Sequence, residues 1–344
     1  MRILKTKQKE QRTLDECAEI VVKPFNWRAY NDSQAREKIM FLRLLDDLCN
    51  MIDEDKFTFN GRRPKSFSHM VFCMCLKVYL GTSSRRLISD IELCQRRKYL
   101  NSVPHFNSVL NYFNNPRVKY FLKNLIELSA MPLAQLETKF AVDSTGFSER
   151  KYLDRWSRIR QEFSKHRQYR KAHCIYGVQS NIISTCIITE GTKNDSPYFK
   201  ELLQRTADNF DVKEVSADLG YSSRENMEFA DQLGISPFIP FKKNATGNAK
   251  GSRAWHKMFK YFKYNNEEFM KNYHLRSNAE SGFFMIKQRF GDFINSKKDI
   301  SQDNEILCKI LCHNICVIIQ EIFLSKIDVD FLNCAKTMVA QQEN

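Results

Sequence analysis

The stretch YHLRSNAESGFFMIK, residues 273–287, decides the fold class because its polar residues follow a helical spacing. At about 100° per residue, four of them fall within about 60° of one another on a helix: Tyr273, Arg276, Glu280 and Lys287. An adjacent arc is apolar and is expected to face a core: Leu275, Ala279, Phe283, Ile286 and Phe290. A solvent-exposed i,i+4 ion pair would explain the arginine and the glutamate. It would explain neither the tyrosine nor the distant lysine.

Two upstream segments share a pattern in which a short apolar run is followed by aspartate and glycine. They read KFAVDSTGF (139–147) and VKEVSADLG (212–220), and each is predicted to be a strand that ends at Asp143 or Asp218. Carboxylates that follow such strands in an α/β sheet face the usual ligand crevice. Two close carboxylates call for a cation, and ligands that are all oxygen suit Mg²⁺ or Mn²⁺. The alternative is that each aspartate only caps a turn.

Taken together, these segments resemble the DDE transposases of bacterial and archaeal insertion sequences, within the retroviral-integrase/RNase H-like superfamily. The subgroup pattern Tyr-x2-Arg-x3-Glu-x6-Lys is complete, and it follows the two aspartates in the expected order. The similarity covers about residues 139–290. It implies an α/β fold, with a mixed sheet in an RNase H-like catalytic domain that has helices on both faces and follows an all-helical N-terminal domain.

The resemblance also implies an activity, namely cut-and-paste DNA transposition by two-metal-ion phosphodiester cleavage and strand transfer. Asp143, Asp218 and Glu280 would then be the catalytic residues and the ligands of two Mg²⁺ (or Mn²⁺) ions. Contacts to DNA are expected from five further residues: Tyr273, Arg276, Lys287, Lys171 and His173. The expected partners are double-stranded DNA, as terminal inverted repeats and target, and a second copy of the chain in a homodimer; no membrane partner is expected.

Two alternative functions stay open at this point. One is a metal-dependent DNA nuclease without strand transfer, and the other is a catalytically silent DNA-binding derivative of a transposase. The chain also departs from its relatives in two places. Asn194 stands where the family often has histidine, and only 61 residues separate Asp218 from Glu280, which leaves no room for the large β-insertion of some relatives.

Alternation of apolar and polar runs divides the chain into three predicted parts. Residues 1–135 are expected to form a helical N-terminal domain that binds DNA ends, residues 136–330 the catalytic domain, and residues 331–344 a C-terminal tail. The N-terminal helices carry a basic cluster, and they could form either a helix-turn-helix-like DNA reader or a plain bundle. That cluster consists of Arg85, Arg86, Arg96, Arg97 and Lys98.

Charge and composition favour a nucleic-acid partner. Lys plus Arg number 54 against 40 Asp plus Glu, a net charge of +14 that suits a polyanion. The segment 149–171 holds nine Lys or Arg against three acids, with aromatic residues interleaved, as in surfaces that track phosphates and stack bases. The alternative for this segment is a solvated amphipathic helix.

The sequence also predicts where the chain resides and how its cysteines are used. No signal peptide is visible, and the apolar stretch 306–324 contains charged and amide residues, so it is predicted to be a packed helix in a cytoplasmic, nucleoid-associated protein. Cys308, Cys312 and Cys316 recur every four residues. They are predicted to line a core stripe rather than a zinc site, which usually draws on two separated pairs.

Overall fold

The computed structural model describes residues 25–54, 65–149 and 169–342. Its centre is a mixed sheet in the order β3-β2-β1-β4-β5, with β6 pairing to the far end of β1. The strands are β1 (Lys139–Glu149), β2 (Tyr169–Gly177), β3 (Ile183–Glu190), β4 (Glu214–Ala217), β5 (Ser236–Phe238) and β6 (Phe293–Ile294). Strands β1, β2 and β3 are antiparallel neighbours, whereas β4 and β5 run parallel to β1. This order and these directions are those of an RNase H-like sheet, so the predicted fold class is confirmed.

Strands β2 and β3 form a hairpin that turns around residues 179–181, and a buried carboxylate holds the turn. Glu137 accepts hydrogen bonds from the backbone N–H of Gln179 (3.1 Å) and from the backbone N–H and hydroxyl of Ser180 (both 2.6 Å). Its side chain also fills the space beside Gly177, where an added Cβ would lie 2.5 Å from the carboxyl carbon. These bonds fix the register of the two strands that lie beside β1.

Helices precede the sheet, connect its strands and follow it. They are α1 (Trp27–Cys49), α2 (Phe67–Leu80), α3 (Leu87–Arg96), α4 (Phe106–Phe113), α5 (Pro116–Ala130), α6 (Phe199–Ala207), α7 (Arg224–Gln232), α8 (Arg253–Tyr264), α9 (Asn266–Tyr273), α10 (Ser277–Phe290), α11 (Asp299–Leu324) and α12 (Phe331–Gln342). Helix α6 connects β3 to β4, and α7 connects β4 to β5. Helix α10 packs on β1 and β2, and α8 packs on α7.

The long helix α11 joins the N-terminal helices to the sheet. It packs against α1, α2, α4 and α5 on one side and against β2 and β3 on the other. Asn314 links the two sides directly. Its side chain bonds to the backbone N–H and C=O of Ile183 on β3 and to the hydroxyl of Ser129 on α5. Length and composition alone would let α11 cross a membrane, but 78% of its most apolar window is buried inside the protein. The prediction of a packed helix is therefore confirmed.

The N-terminal helices follow the sequence signals closely. Ser66 caps the start of α2 by accepting from the N–H of His69, and Gly81 ends it in the left-handed conformation at φ 64°. Helix α2 is buried in the bundle and packs against α1, α4, α5 and α11. The N-terminal helices and the sheet thus share one continuous core. Cys308 and Cys312 are buried in that core and Cys316 is half-buried, as predicted for a core stripe.

Two local predictions were wrong. Strand β1 does not end at Asp143, because its pairing with β2 continues as far as Ser148 and Tyr169. Residues 273–287 are not one helix: α9 ends at Tyr273, residues 274–276 form a 3₁₀ turn, and α10 begins at Ser277. Within the predicted C-terminal tail, residues 331–342 form the helix α12, which packs on α5 and buries Phe331.

Candidate active site

Asp143 and Asp218 occupy equivalent positions on two neighbouring strands. The parallel pairing of β1 with β4 ends at Val142 opposite Ala217, so each aspartate is the next residue after that last pair. Asp218 is exposed and directly follows β4, and its Oδ1 accepts a 2.6 Å bond from the N–H of Leu219. Asp143 is only partly exposed, and its Oδ1 accepts from the N–H of Ser144 at 2.8 Å. Strand register alone therefore brings two carboxylates to one edge of the β1–β4 pair.

Arg276 connects Glu280 to these strands. One of its guanidinium nitrogens lies 3.3 Å from Asp143 Oδ2, and the other donates to Glu280 Oε1 at 2.6 Å. The side chain of Glu280 remains 57% exposed, whereas that of Arg276 is 21% exposed. Arg276 thus spans the gap between a sheet strand and the first turn of α10. The carboxylates of Asp143 and Glu280 share one guanidinium as their counter-charge.

The electrostatics agree with this convergence. Burial raises the pKa of Asp143 above its ordinary value, and the nearby charges of Asp218 and Glu280 raise it further. The N–H of Ser144 and the guanidinium of Arg276 act in the opposite direction and lower the pKa. A carboxylate is repelled in this way only by acids that lie close to it. The site therefore holds more negative charge than Arg276 compensates.

Close backbone packing sets the position of α10. Gly282 lies so near β2 that a Cβ at that residue would be 2.4 Å from the ring of Tyr176. Phe283 meets the same ring edge-to-face, with centroids 5.0 Å apart. Because side chains alternate along a strand and Tyr176 lies opposite Ala141, this face of the sheet also carries Asp143. Contact with a glycine thus brings Glu280 over the strand that carries Asp143.

Lys287 and Tyr273 lie at the two ends of the signature. The Nζ of Lys287 sits 5.5 Å from the ring centre of Phe147, which is on the same face of β1 as Asp143, and burial lowers the lysine's pKa. Tyr273 is half-buried, and the guanidinium of Arg276 lies 5.9 Å from its ring centre. Helix α10 therefore runs along β1 from the carboxylates towards Phe147.

Two residues that were expected to contact DNA lie elsewhere. His173 pairs with Ser144 and therefore points to the opposite face of the sheet from Asp143. Its ring is completely buried, with Nε2 2.9 Å from the hydroxyl of Thr189. Lys171 is held by Asp195 at 2.8 Å and by the carbonyl of Lys193 at 3.1 Å. His173 is thus buried and the cation of Lys171 is paired with Asp195, and contacts of these two residues to DNA stay a prediction.

The donor set is suited to a hard divalent cation. Asp143, Asp218 and Glu280 offer only carboxylate oxygens, the ligands that Mg²⁺ and Mn²⁺ prefer. The surplus of negative charge around Asp143 is what such a cation would neutralise. Within the described ranges, no three His, Cys, Asp or Glu side chains are close enough together to hold an ion. In this arrangement the guanidinium of Arg276 separates Glu280 from Asp143.

The structure leaves one predicted segment undescribed and contains two features that the sequence analysis did not identify. Most of the basic segment predicted to track phosphates, residues 150–168, lies outside the described residues. The structural role of Gly282 was missed, although a glycine within an otherwise good helix-forming stretch is a recognisable sign of close packing. A second basic stretch between Phe241 and Tyr264 was missed as well, and it could have been recognised from its lack of acids.

An RNase H-like sheet with two aspartates at the β1–β4 edge and a glutamate on a following helix is the architecture of the DDE class of transposases. The model of the transposase DDE domain family matches residues 134–315, more than half of the chain, and the chain belongs to that family. The matched region includes Asp143, Asp218 and Glu280.

Comparison with solved structures and curated proteins adds two findings. The chain is similar to a structure described as "Cryo-EM structure of piggyBac transposase synaptic complex with hairpin DNA", with a TM-score of 0.40 and 9% identity, over 88% of this chain and 76% of that chain. No curated protein matches at a significant level.

Proposed function

We propose that this transposase excises and inserts an insertion sequence by cutting DNA at its terminal inverted repeats and joining the ends to target DNA. The observation that carries the proposal is the position of Arg276, which bonds to Asp143 on β1 and to Glu280 on α10. This bridge supports the assignment of the signature glutamate to the same site as the strand aspartates. A surface ion pair between Arg276 and Glu280 alone would not require the contact with Asp143.

Asp143, Asp218 and Glu280 would hold two Mg²⁺ or Mn²⁺ ions. When bound, such ions activate a water or a DNA 3′-hydroxyl and stabilise the leaving oxygen during displacement at phosphorus. The protein's own part is to fix the ligands. The N–H groups of Ser144 and Leu219 orient Asp143 and Asp218, and packing of Gly282 on Tyr176 places Glu280. Lys287 and Arg276 supply positive charge for DNA phosphates, and Tyr273 supports Arg276.

Assembly and location follow from the same proposal. Acting on two transposon ends favours a homodimer on DNA, and a DNA substrate favours a cytoplasmic, nucleoid-associated protein. The N-terminal helices, with exposed Arg85, Arg86 and Arg96, are proposed to help bind the ends.

The test is cleavage of DNA that carries the terminal repeats, compared between the wild type and Asp143→Asn. Loss of a metal ligand removes several kcal/mol of transition-state stabilisation. At about 1.4 kcal/mol for each factor of ten, cleavage should fall on the order of 10³-fold while end binding changes little. The matched control is Asp211→Asn, because Asp211 is exposed and lies just before β4, at the end opposite Asp218. Unchanged cleavage by Asp143→Asn would refute the assignment.

The same assay separates the alternative functions. A transposase transfers the cut ends into a target plasmid, whereas a plain nuclease yields hydrolysed ends that are never joined. A silent DNA-binding derivative binds the repeats but cuts them no better than Asp143→Asn does. Joined products that disappear with Asp143→Asn and persist with Asp211→Asn would support the transposase.

A further inference from the structure

A basic surface lies between the sheet and the signature helix. From Phe241 to Tyr264 the sequence contains seven Lys or Arg and no Asp or Glu, and all seven cations are exposed. We call this the α8 surface; its cations are Lys242, Lys243, Lys250, Arg253, Lys257, Lys260 and Lys263. Within the described ranges, only one of these cations forms an ion pair. Lys257 lies 4.0 Å from Asp231, and both side chains are largely exposed. The positive charge of this surface is therefore almost uncompensated by the protein.

The loop that carries the first three lysines is folded onto α8. The indole N–H of Trp255 donates to the carbonyl of Thr246 at 2.8 Å, and a ring nitrogen of His256 lies 2.6 Å from the carbonyl of Gly247. Arg224, at the start of α7, donates to the carbonyl of Asn248 and covers the indole ring at 4.5 Å. The cations are consequently presented by a formed structure, which lowers the conformational entropy that binding would have to remove.

Helix α8 itself has two distinct sides. At about 100° per residue, its four cations fall within an arc of about 120°. The opposite side is anchored by aromatic packing, with Trp255 4.8 Å and Phe259 5.2 Å from the ring of Phe241. Ser252 caps the helix by accepting from the N–H of Trp255, and its hydroxyl donates to Glu228 on α7. The anchored side fixes the direction in which the cations point.

Topology places the beginning of this surface, the loop at 242–252, on the same edge of the sheet as the candidate active site. Strands β1, β4 and β5 are parallel, so their carboxyl ends lie at one edge of the sheet. Asp218 leaves β4 at that edge, and the chain reaches Lys242 four residues after β5 ends there at Phe238. Helix α9, which follows α8, packs on β4 and β5 and leads directly to Tyr273 and Arg276. Helix α8 then runs from that edge towards the other, since Lys257 faces Asp231 at the end of α7. A duplex with its scissile phosphate at the carboxylates would therefore meet the loop at 242–252 first and then extend along α8.

We propose that the α8 surface binds the phosphate backbone of the transposon-end duplex next to the phosphate that is cut. This inference rests on the proposed function. Uniform positive charge on an exposed helical face, without a pattern of base-reading side chains, fits contacts to phosphates rather than to bases.

The experiment compares two triple variants of the full-length chain by fluorescence anisotropy of a labelled terminal-repeat duplex, without divalent metal, across a range of salt concentrations. The test variant is Lys242→Gln, Lys243→Gln and Lys250→Gln, the three exposed lysines of the loop that follows β5 at that edge. The control removes the same charge from exposed positions elsewhere: Lys213→Gln, Lys326→Gln and Lys336→Gln. Each phosphate contact contributes about 0.9 to the slope of log K against log salt, so the test variant should lose about 2 to 3 units of slope.

The outcomes separate this inference from the proposed function. We expect the test variant to bind at least ten-fold more weakly at low salt, for terminal-repeat and unrelated duplexes alike, with an unchanged melting temperature. Equal slopes and affinities for the two triple variants would overturn the role of the α8 surface, even if the wild type cuts and joins DNA. A wild type that binds DNA but never cuts it would instead refute the proposed function and leave this inference standing.

Discussion

Strand β1 separates two charged clusters that use similar residues in opposite ways. On one face, Asp143 and Glu280 share the single guanidinium of Arg276, and the charge of Asp218 acts on Asp143 as well, so three negative charges accompany one positive charge. On the other face, Asp195 pairs with Lys171 beside the buried ring of His173, so one negative charge meets one positive charge. The first cluster therefore carries excess negative charge, whereas the charges of Asp195 and Lys171 in the second cancel. This excess of charge, rather than the presence of titratable residues, distinguishes the cluster that we propose to be the active site.

A single step of strand register decides which residue belongs to which cluster. Asp143 lies opposite Cys174, and the next residue, Ser144, lies opposite His173. Because side chains alternate between the faces of a strand, His173 lies with Lys171 and Asp195, and we call these three residues the sealed cluster. There it lies against the ring of Tyr198, with centroids 4.5 Å apart. Nearness to Asp143 in the sheet therefore does not make a residue part of its site.

The largest effect in this comparison is expected from Gly282→Ala. The added methyl group would overlap the ring of Tyr176, so α10 must move away from β2 and carry Glu280 with it. Overpacking of this kind costs about 1–3 kcal/mol, and misplacement of a reacting group by about 1 Å can reduce a rate on the order of 100-fold. We expect losses of that size in the free energy of unfolding and in the rate of DNA cleavage.

A neighbouring residue provides the control for this variant. Ser281 is exposed, and its hydroxyl bonds only to the helix carbonyl of Ser277 among the described residues. Ser281→Ala should therefore leave both quantities nearly unchanged. Combining Gly282→Ala with Tyr176→Leu, which makes room for the methyl group, should restore part of the cleavage rate. Full cleavage by Gly282→Ala alone would show that close packing of α10 does not position Glu280.

A smaller effect should appear in the sealed cluster as a dependence of stability on pH. Burial lowers the pKa of His173 from 6.5 to about 4, and the charge of Asp195 only partly opposes this. The unfolded chain therefore binds a proton between pH 6.5 and about pH 4 that the folded chain does not. Stability is lost as the pH falls through this window, by on the order of 3 kcal/mol at most.

The measurement is urea unfolding of the wild type and of His173→Gln at both ends of that pH window. Glutamine cannot take up the proton, so the variant should lose less stability on acidification than the wild type does. Buried His313, whose pKa is also lowered to about 4, remains in both proteins and cancels in the comparison. Exposed His274→Gln is the control and should behave as the wild type. An equally steep pH dependence in His173→Gln would mean that this ring is not held neutral.

Much of the fold and part of the site could be predicted from the sequence because the deciding signals are local. The strand before Asp218, the 179–181 turn and the cap residues Ser66 and Gly81 each depend on neighbouring residues alone. The signature spacing likewise placed Arg276 within reach of Glu280. The role of these residues as metal ligands stays a prediction that the cleavage assay must decide.

The features that were missed depend on contacts between distant segments. Asp143 ends an apolar run in the sequence, but β1 continues because β2 and β6 pair with its second half. The break in the helix between Tyr273 and Ser277 has no local signal, because no glycine or proline lies between these residues. The face that His173 occupies follows from a strand register that the sequence does not specify by itself. Tertiary pairing, rather than local preference, fixes all three.

The smallest effect should come from Lys171→Gln. This variant removes a cation that is paired within the sealed cluster, in contrast to the exposed cations of the α8 surface. Lys171 is 19% exposed and already pairs with Asp195, so its loss should cost about 1 kcal/mol of stability. Because this cation is engaged by the protein, the salt dependence of DNA binding should stay at the wild-type slope. Its comparison variant is Lys260→Gln, whose cation is exposed, and which should reduce the slope by about 0.9. If Lys171→Gln reduced the slope by as much, the DNA would reach the edge of the sealed cluster, and the contrast between the two faces of β1 would fail there.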